Sequence, residues 1–460
     1  MESNKGETEM QERKGRRLVL FPLPLQGHIN PMLQLANILH SKGFSIVIIH
    51  TNFNSPNPSN FPHFTFQPIP DGLLESSEAS TTDVLALLSL LNVTCVSPFQ
   101  ECLARLLSDV LEEEPIACLI TDAMLHFTRA VADSLKLPRI VLRTGGVSSF
   151  VAFAAFPLLL EKGYLPIQNS QLEEPVQELP HLRVKDLPVI KTLNPEALYQ
   201  LVESMIKETK ASSGLIWNSF EELEQPALAT LGQDFPIPIF PIGPFHKYFP
   251  ASSSSLLTQD QNSISWLDTQ KPKSVIYVSF GSIAAMDEKG FLEIAWGLAN
   301  SKHPFLWVVR QGLIRGSEWL EPLPNGFLEM LDGSGHIVKW APQPQVLAHP
   351  AVGAFWTHNG WNSTLESICE GVPMICQPFF TDQMVNARYV SHVWRVGLQL
   401  ENGVERGKIE KVIRRLMVER EGEAIRERIS LLKEQVNLCL RQGGSSYKFL
   451  ESLISYISSF

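Results

Sequence analysis

The chain has 460 residues, of which 44% are hydrophobic and 19% charged, and its formal net charge is −10. This length exceeds what one hydrophobic core usually serves, so we expect two domains. The composition is that of a globular protein and excludes disordered and fibrous classes. The acidic balance argues against a nucleic-acid-binding protein, which would normally carry a basic face. It still allows an anionic small ligand held by local dipoles.

The cysteine pattern and the lack of targeting signals indicate a cytoplasmic protein. Six cysteines are thinly spread without a CxxC pair, and Cys118 and Cys376 lie in apolar runs. This pattern predicts buried free thiols and neither a disulfide framework nor a zinc site. The polar residues 1–16 lack the apolar core of a signal peptide and are predicted to form a disordered tail. The longest nearly apolar run, residues 147–160, is too short to span a bilayer.

Short apolar runs alternate with helical periodicity in the first half of the chain. Strands are predicted at residues 18–21, 46–49, 117–120 and 140–142. After the first strand, Asn30 and Pro31 have the pattern of a helix N-cap followed by proline, and Gly43 can end that helix. Continuous apolar strands separated by helices indicate a parallel sheet covered on both faces.

The second half repeats this alternation after a change in composition. Residues 235–263 are rich in proline and then in serine, which predicts a linker between domains. Strands follow at residues 275–278, 305–309, 353–357 and 373–376, with helices at 291–298 and within 408–440. The predicted fold class is therefore α/β, with two Rossmann-like, doubly wound domains facing a cleft. Ligands of such sheets bind outside the carboxyl ends of the strands.

The stretch FWTHNGWNSTLES, residues 355–367, predicts a strand, a turn and a helix start. A helix N-terminus carries free N–H groups and a partial positive charge, which suit an anion such as phosphate. His358, Asn362 and Ser363 add side-chain donors there, and Gly360 allows close approach of the backbone. Glu366 lies one turn after Asn362 and can accept from two sugar hydroxyls. By itself the stretch slightly favours a simpler interpretation, in which Asn362 and Ser363 cap the helix and His358 is a packed loop residue, because capping residues are common.

Residues on both sides of this stretch favour a ligand site. Trp340 in KWAPQ offers a planar ring that can stack on a nucleobase, and Gln343 offers an amide for its edge. Asp382 and Gln383 follow a strand and suit neighbouring hydroxyls of a hexose. Taken singly, Trp340 could be a core tryptophan, and Asp382 and Gln383 could be an ordinary loop cap. Together the groups describe a site for a nucleotide sugar.

The segment from WAPQPQVLAHP to QPFFTDQ, residues 340–383, resembles without gaps the signature box of plant UDP-dependent glycosyltransferases that act on small molecules. The resemblance runs from FPLPLQGHINPMLQLA to the C-terminal helices. KASSGLIWNSFEELE and GGSSYKFLESLISYI resemble the subgroup with cytokinin and steviol-glycoside glucosyltransferases. The resemblance to this family implies a GT-B type fold. Its acceptor domain would span residues 17–234, and its UDP-sugar domain would span residues 264–440 after the linker 235–263. A C-terminal helix, residues 441–460, would pack on the first domain.

The resemblance also implies roles for single residues. In relatives the base stacks on the residue matching Trp340, beside Ala341 and Gln343, and the ribose contacts the residue matching Glu366. The implied diphosphate contacts are His358, Asn362, Ser363 and Ser282, with Trp361 in the same donor set. Asp382 and Gln383 would hold glucose, and Thr144 would contact the sugar or a phosphate. Two positions depart from the family pattern: Gln377 replaces a usual tryptophan, and Gly145 stands where Ser or Thr is frequent.

A catalytic base is predicted in the first half of the chain. His28 in LQGHINP follows the first strand, and Asp122 in CLITDAM ends another. Imidazole exchanges protons near neutral pH, and a carboxylate on its far nitrogen would orient it. Without the resemblance, His28 could equally be a structural loop histidine, and Asp122 could be a helix cap. The family reaction is inverting and needs no metal: an acceptor oxygen attacks UDP-α-glucose and yields a β-glucoside and UDP.

Other functions fit the sequence less well. An NAD-dependent oxidoreductase needs GxGxxG and a serine hydrolase needs GxSxG, and the chain has neither motif. A non-catalytic nucleotide-sugar sensor is the alternative, although it would not need His28 and Asp122. The apolar segments 85–91 and 147–156 suggest a small apolar acceptor such as a terpenoid glycoside, flavonoid, hormone or phenol. We expect a monomer that binds a UDP-sugar and such an acceptor, without a cofactor or metal.

Overall fold

The computed structural model describes residues 16–73, 83–109, 114–190, 192, 194–249, 255–401 and 403–460. The predicted tail, residues 1–16, therefore lies outside the description except for Arg16. The chain divides into two compact units. The first unit contains Met1–Phe156, Thr192–Leu256 and Leu438–Phe460, and the second contains Pro157–Lys191 and Leu257–Asn437.

The first unit is built on a seven-stranded sheet with the order β3-β2-β1-β4-β5-β6-β7. Its neighbouring strands are all parallel. The order reverses between β1 and β4, which makes the gap beyond their carboxyl ends the switch point of the sheet. The strands are β1 Arg17–Phe21, β2 Ser45–Thr51, β3 Phe64–Ile69, β4 Ile116–Asp122, β5 Arg139–Arg143, β6 Gly214–Trp217 and β7 Ile239–Pro241.

The second unit contains a six-stranded sheet with the order β10-β9-β8-β11-β12-β13. It is also parallel throughout, and its order reverses between β8 and β11. The strands are β8 Val275–Ser279, β9 Phe305–Val308, β10 Gly335–Val338, β11 Val352–Thr357, β12 Met374–Cys376 and β13 Gly397–Gln399.

Helices connect the parallel strands, as the crossover geometry requires. In chain order they are α1 Gln26–Ser41, α2 Val84–Thr94, α3 Val96–Ser108, α4 Thr128–Ser134, α5 Val147–Ala154, α6 Phe156–Glu161, α7 Pro195–Lys210, α8 Glu221–Asp234, α9 Asn262–Asp268, α10 Glu288–Ser301, α11 Phe327–Met330, α12 Gln343–Ala348, α13 Trp361–Glu370, α14 Asp382–Arg388, α15 Arg406–Met417, α16 Arg420–Leu440 and α17 Ser445–Ser458. In the part of the chain described here, no single helix meets the length and apolarity needed to cross a membrane, and α2 and α3 meet them only together, as a bent pair. All six cysteines are buried and free.

The proline-rich segment after residue 235 takes part in the first sheet. Its residues Ile239–Pro241 form β7, which pairs with β6 through Leu215 and Ile239. An edge strand needs ladder hydrogen bonds on one side only, so proline is tolerated there. The C-terminal helix α17 inserts Leu450, Leu453 and Ile454 into the core of the same unit.

The first helix begins earlier than the sequence pattern predicts. The prediction of a start at Asn30 and Pro31 is wrong, because α1 begins at Gln26 and Pro31 lies inside it. The backbone carbonyl of Leu25 accepts hydrogen bonds from the N–H groups of His28 (2.8 Å) and Ile29 (2.9 Å), so the turn forms directly after the β1 loop. His28 therefore lies in the first turn of α1 and not in the preceding loop.

A buried carboxylate holds the loop that follows β5. Glu224 is 2% exposed and accepts hydrogen bonds from the N–H groups of Val147 (2.9 Å) and Ser148 (2.8 Å). It also accepts from the hydroxyls of Ser148 (2.9 Å) and Ser219 (2.7 Å). These bonds stabilise the carboxylate at the N-terminus of α5, where a negative charge is favoured. They also fix the end of the loop that begins at Thr144.

We expect Glu224→Ala to destabilise this region because four buried donors would lose their acceptor. The free energy for opening α5 should fall by about 3 kcal/mol or more. Native-state hydrogen exchange of the α5 amides measures this quantity. The exposed Glu221, which lies in α8 with Glu224, provides the control, and Glu221→Ala should change the value by less than about 1 kcal/mol. Equal protection of the α5 amides in the two variants would contradict the role that we assign to Glu224.

Candidate functional site

The switch point of the first sheet carries a histidine and an aspartate. His28 follows β1 in the first turn of α1, and Asp122 is the last residue of β4. Because β1 and β4 are parallel neighbours, their carboxyl ends place the two side chains together. The Asp122 side chain is 1% exposed, whereas that of His28 is 23% exposed, so the imidazole is the solvent-accessible member.

The hydrogen bonds of this pair determine the state of the imidazole ring. Nδ1 of His28 lies 2.7 Å from Oδ2 of Asp122, and Oδ1 of Asp122 accepts from the N–H of Met124 at 2.9 Å. A carboxylate can only accept, so Nδ1 carries a proton, and in the neutral imidazole Nε2 then keeps its lone pair. The geometry therefore supplies a base at Nε2 and a buried carboxylate to stabilise the imidazolium that proton transfer would form.

Thr144 joins this pair. Its Oγ1 lies 3.0 Å from Nδ1 of His28, the nitrogen that faces Asp122. The loop behind Thr144 is held by Trp217, whose indole N–H donates to the carbonyl of Gly145 at 2.7 Å. The structure thus places Thr144 beside the histidine, a contact that the sequence interpretation did not include.

The switch point of the second sheet is the strand–turn–helix junction of residues 355–367. The N-cap of α13 is Gly360, which has no side chain to accept the N–H groups of the first turn. Asn362 and Ser363 therefore lie inside the helix and do not cap it. The loop after β8, with Gly281 and Ser282, lies at the carboxyl end of the neighbouring strand. These features form a concentration of N–H groups suited to an anion.

Two glycines enclose His358 in this junction. A Cβ atom on Gly281 would lie 2.6 Å from Nε2 of His358, and one on Gly360 would lie 2.5 Å from the same nitrogen. Any larger residue at either position would displace the ring. Desolvation by burial lowers the pKa of His358 to about 4, and the nearby Arg310 cation adds to this effect. The imidazole is therefore neutral at neutral pH, while Arg310 supplies positive charge.

Gln343 links the start of α12 to α13. Its amide Nε2 donates to Oγ of Ser363 at 2.9 Å and to Oε2 of Glu366 at 2.7 Å, and its Oε1 accepts from the hydroxyl of Tyr277 at 3.2 Å. Desolvation by burial raises the pKa of Glu366 to about 7, although the hydrogen bond from Gln343 opposes this change. Glu366 is thus a carboxyl group whose charge responds to hydrogen-bond donors near neutral pH.

Asp382 and Gln383 begin α14, after β12. Oδ1 of Asp382 accepts from the Thr381 hydroxyl at 3.0 Å, and Oδ2 accepts from Nδ2 of Asn386 at 3.2 Å. Oε1 of Gln383 accepts from the N–H groups of Phe379 (2.9 Å) and Phe380 (3.4 Å). Asp382 therefore presents acceptors, whereas Gln383 presents its NH₂ donor.

The remaining predicted residues surround these groups. Trp340 is partly exposed two residues after β10, and its carbonyl accepts from the N–H of Asp260 at 2.8 Å. Ala341 and Trp361 are buried, and Asn362 is partly exposed. Gln377, which replaces the usual tryptophan, is 8% exposed at the end of β12.

Sequence reasoning missed several polar residues that support the second switch point. Arg310 donates from Nε to the carbonyl of Gly281 at 3.0 Å and from Nη2 to that of Ala284, so it holds the loop after β8. Asn386 donates from Nδ2 to the carbonyl of Asn359 at 2.9 Å and joins α14 to the loop after β11. A positively charged residue directly after the strand at 305–309 was the available signal for Arg310. No local sequence pattern indicates Asn386, because its contact with Asn359 forms only in the folded chain.

No cluster of three or more His, Cys, Asp or Glu side chains that could hold a metal ion occurs within the described ranges. The groups gathered at the N-terminus of α13 are N–H groups and neutral side chains, and Arg310 lies nearby as a cation.

Comparison with known proteins gives a consistent result. The family model described as UDP-glucoronosyl and UDP-glucosyl transferase matches residues 73–420. UDP-glycosyltransferase 76B1 of Arabidopsis thaliana is 57% identical over 452 residues, which cover 98% of this chain and 100% of the relative. UDP-glycosyltransferase 76G1 of Stevia rebaudiana is 52% identical over 458 residues, with coverages of 98% and 99%.

Solved structures show the same architecture. The structure of UDP-glucose:anthocyanidin 3-O-glucosyltransferase in complex with UDP matches with a TM-score of 0.84 and 26% identity, covering 97% of this chain and 100% of that chain. Phytolacca americana UGT2, complexed with UDP-2-fluoro-glucose and pterostilbene, matches with a TM-score of 0.79 and 27% identity, covering 96% and 99%.

Proposed function

Because the chain belongs to the UDP-glucoronosyl and UDP-glucosyl transferase family, we propose that it is an inverting glucosyltransferase that transfers β-glucose from UDP-glucose to a small apolar plant metabolite. The family establishes a plant UDP-glycosyltransferase of small metabolites, in the subgroup that includes 76B1 and 76G1. The predicted fold class is confirmed, because two parallel, doubly wound sheets form the GT-B fold of the solved relatives.

The His28–Asp122 pair is the observation that carries the proposed mechanism. Nε2 of His28 takes the proton of the acceptor hydroxyl, and the oxygen attacks the anomeric carbon of UDP-α-glucose. The bond between that carbon and the diphosphate oxygen breaks, and UDP leaves with the bonding electron pair. Attack from the face opposite UDP yields the β-glucoside. Asp122, at 2.7 Å from Nδ1, stabilises the imidazolium and keeps Nε2 directed outward. A nucleotide-sugar sensor would have no use for this pair.

The second unit supplies the groups that we assign to the diphosphate. The N-terminus of α13 and the neutral N–H of His358 would donate to its oxygens, together with Asn362, Ser363 and Ser282. The Arg310 cation strengthens the positive potential there. These donors stabilise the charge that develops on UDP as it leaves, so the residues present can assist departure without a metal.

The proposed contacts to the rest of the donor follow from the hydrogen-bonding capacity of each group. Trp340 offers its ring to uracil, beside Ala341, with Trp361 in the same donor set. Glu366 accepts from the ribose hydroxyls, and Gln343 holds its carboxylate in place at 2.7 Å. Asp382 accepts from a glucose hydroxyl, whereas Gln383 donates its NH₂ to another, since its oxygen is already bound to the backbone.

For the acceptor, we propose an apolar compound with a hydroxyl group, in the class of terpenoid glycosides, flavonoids or hormones. The helices α2 and α5 carry the two apolar segments that suggested this class. Leu85, Leu87 and Phe150 are buried, and Val93 is exposed. The bound pterostilbene in the Phytolacca americana relative supports a small apolar acceptor.

We expect His28→Ala to lower kcat for glucosyl transfer by about 100-fold or more, because the acceptor proton loses its base. UDP affinity should stay unchanged, since the assigned UDP contacts lie in the second unit. Rates of UDP release and UDP titration calorimetry measure the two quantities. His63 is exposed in the same unit, and His63→Ala serves as the control with wild-type kcat. Full activity of His28→Ala would refute the base assignment.

UDP affinity should depend on the charge of Glu366. The ribose hydroxyls donate to the carboxylate form, and the pKa of Glu366 in the ligand-free protein is about 7. Binding therefore favours proton release, so UDP affinity should rise as the pH increases through about 7 and weaken below it, by up to about tenfold per pH unit. Calorimetry from about pH 6 to about pH 8 measures this dependence.

Glu366→Gln is the matched control for this titration. It should bind UDP more weakly at high pH, and the pH-dependent difference between the two proteins should arise from Glu366 alone. The titration of the UDP phosphate contributes equally to both proteins, so it does not affect this difference. Parallel pH curves for both proteins would contradict the ribose role.

The acceptor proposal predicts that UDP release from UDP-glucose requires an apolar hydroxyl compound. A panel of flavonoids, terpenoids, terpenoid glycosides, cytokinins and simple phenols tests this requirement, and the coupling constant of the anomeric proton reports the configuration of the product. An α-linked product would refute the inverting mechanism. A preference for acceptors without an apolar skeleton, such as free sugars, would refute the proposed acceptor class.

A further inference from the structure

Thr381, directly before Asp382, has a backbone conformation that is unusual for its side chain. Its φ is 54° and its ψ is −136°. This region is readily accessible to glycine, whereas a β-branched residue adopts it at a cost in strain. Strain of this kind persists only where the surrounding structure holds the backbone, and it is concentrated at functional sites. The question is what holds Thr381 and what its side chain does there.

The segment of residues 157–190, which belongs to the second unit, holds both ends of α14. At the start of the helix, the N–H of Thr381 donates to the carbonyl of Val189 at 3.3 Å. At its end, Nε of Arg388 donates to the carbonyl of His181 at 2.9 Å and lies 3.6 Å from Oδ2 of Asp186. The position of α14, and of Asp382 at its first residue, thus depends on this segment.

Arg183 anchors the segment in turn. Its guanidinium contacts Asp186 at 2.9 Å and Glu401 at 3.0 Å. Asp186 is 2% exposed, so this ion pair is desolvated and would be costly to break. The segment that hydrogen-bonds to Thr381 is therefore itself anchored by a desolvated ion pair.

The strained backbone aims the Thr381 hydroxyl at Asp382. Oγ1 of Thr381 donates to Oδ1 at 3.0 Å, while Asn386 donates to Oδ2 at 3.2 Å. Each carboxylate oxygen is thereby tethered by one donor and keeps lone-pair capacity for a ligand. With both oxygens held, the carboxylate has one preferred orientation.

We propose that Thr381 is a positioning residue that orients the Asp382 carboxylate toward the glucose part of the donor. This inference rests on the proposed function, in which Asp382 contacts glucose and not UDP. Loss of the Thr381 hydroxyl therefore affects the sugar nucleotide and spares the free nucleotide. A purely structural residue would affect both ligands together.

Two variants remove the hydroxyl with opposite effects on strain. Thr381→Val keeps the shape and the strain, whereas Thr381→Gly relieves the strain. Both should lower kcat/KM for UDP-glucose by about tenfold, the loss expected for a hydrogen bond to a charged group. The inhibition constant of UDP should stay within about twofold of wild type in both. Thr381→Gly should also match or exceed the wild-type Tm, so lost activity would accompany retained stability.

Thr381→Ser is the matched control because it keeps the hydroxyl, and it should retain kcat/KM within about threefold of wild type. Wild-type kcat/KM in both Thr381→Val and Thr381→Gly would overturn the inference, as would a proportional loss of UDP affinity. Asp382→Asn separates this result from a failure of the proposed function. If Asp382→Asn loses kcat/KM for UDP-glucose and the Thr381 variants do not, the positioning role alone is overturned. An unchanged Asp382→Asn overturns the glucose contact, and the inference with it.

Discussion

Parallel strands end together, and where the order of a parallel sheet reverses, the connections on the two sides diverge and leave space beyond the strand ends. In the first sheet this happens between β1 and β4, and in the second between β8 and β11. His28 and Asp122 lie at the first position, and the His358 junction lies at the second. Each unit thus places its candidate site residues where the backbone topology leaves room.

Buried polar groups hold the loops around these residues. Glu224 fixes the loop behind Thr144, Arg310 fixes the loop after β8, and Asn386 joins α14 to the loop after β11. Desolvation also sets the charge of two groups that we assign to the donor site. It keeps His358 neutral and brings the pKa of Glu366 to about 7. The second unit therefore offers dipoles and the nearby Arg310 cation to the anionic ligand that we propose, despite the acidic charge of the chain.

Much of this architecture was predictable from local pattern. Strands such as 18–21 and 275–278 are continuous apolar runs, and the structure places strands there because parallel strands are buried on both faces. The start of α1 was not predictable, since a proline usually marks a first turn and Pro31 lies inside the helix. The short strand β7 was also missed, because its prolines resemble a linker and only pairing with β6 makes it a strand.

The sequence by itself determined the α/β class, the family and the identity of the candidate donor residues, because these depend on residue types at fixed local spacing. The tertiary structure decided which residues cooperate. It placed Thr144 beside His28, Gln343 against Glu366, and Val189 against Thr381. These partners are separated by 23 to 192 residues along the chain, and no local pattern encodes such distances. Burial, which sets the charges of His358 and Glu366, likewise exists only once the chain has folded.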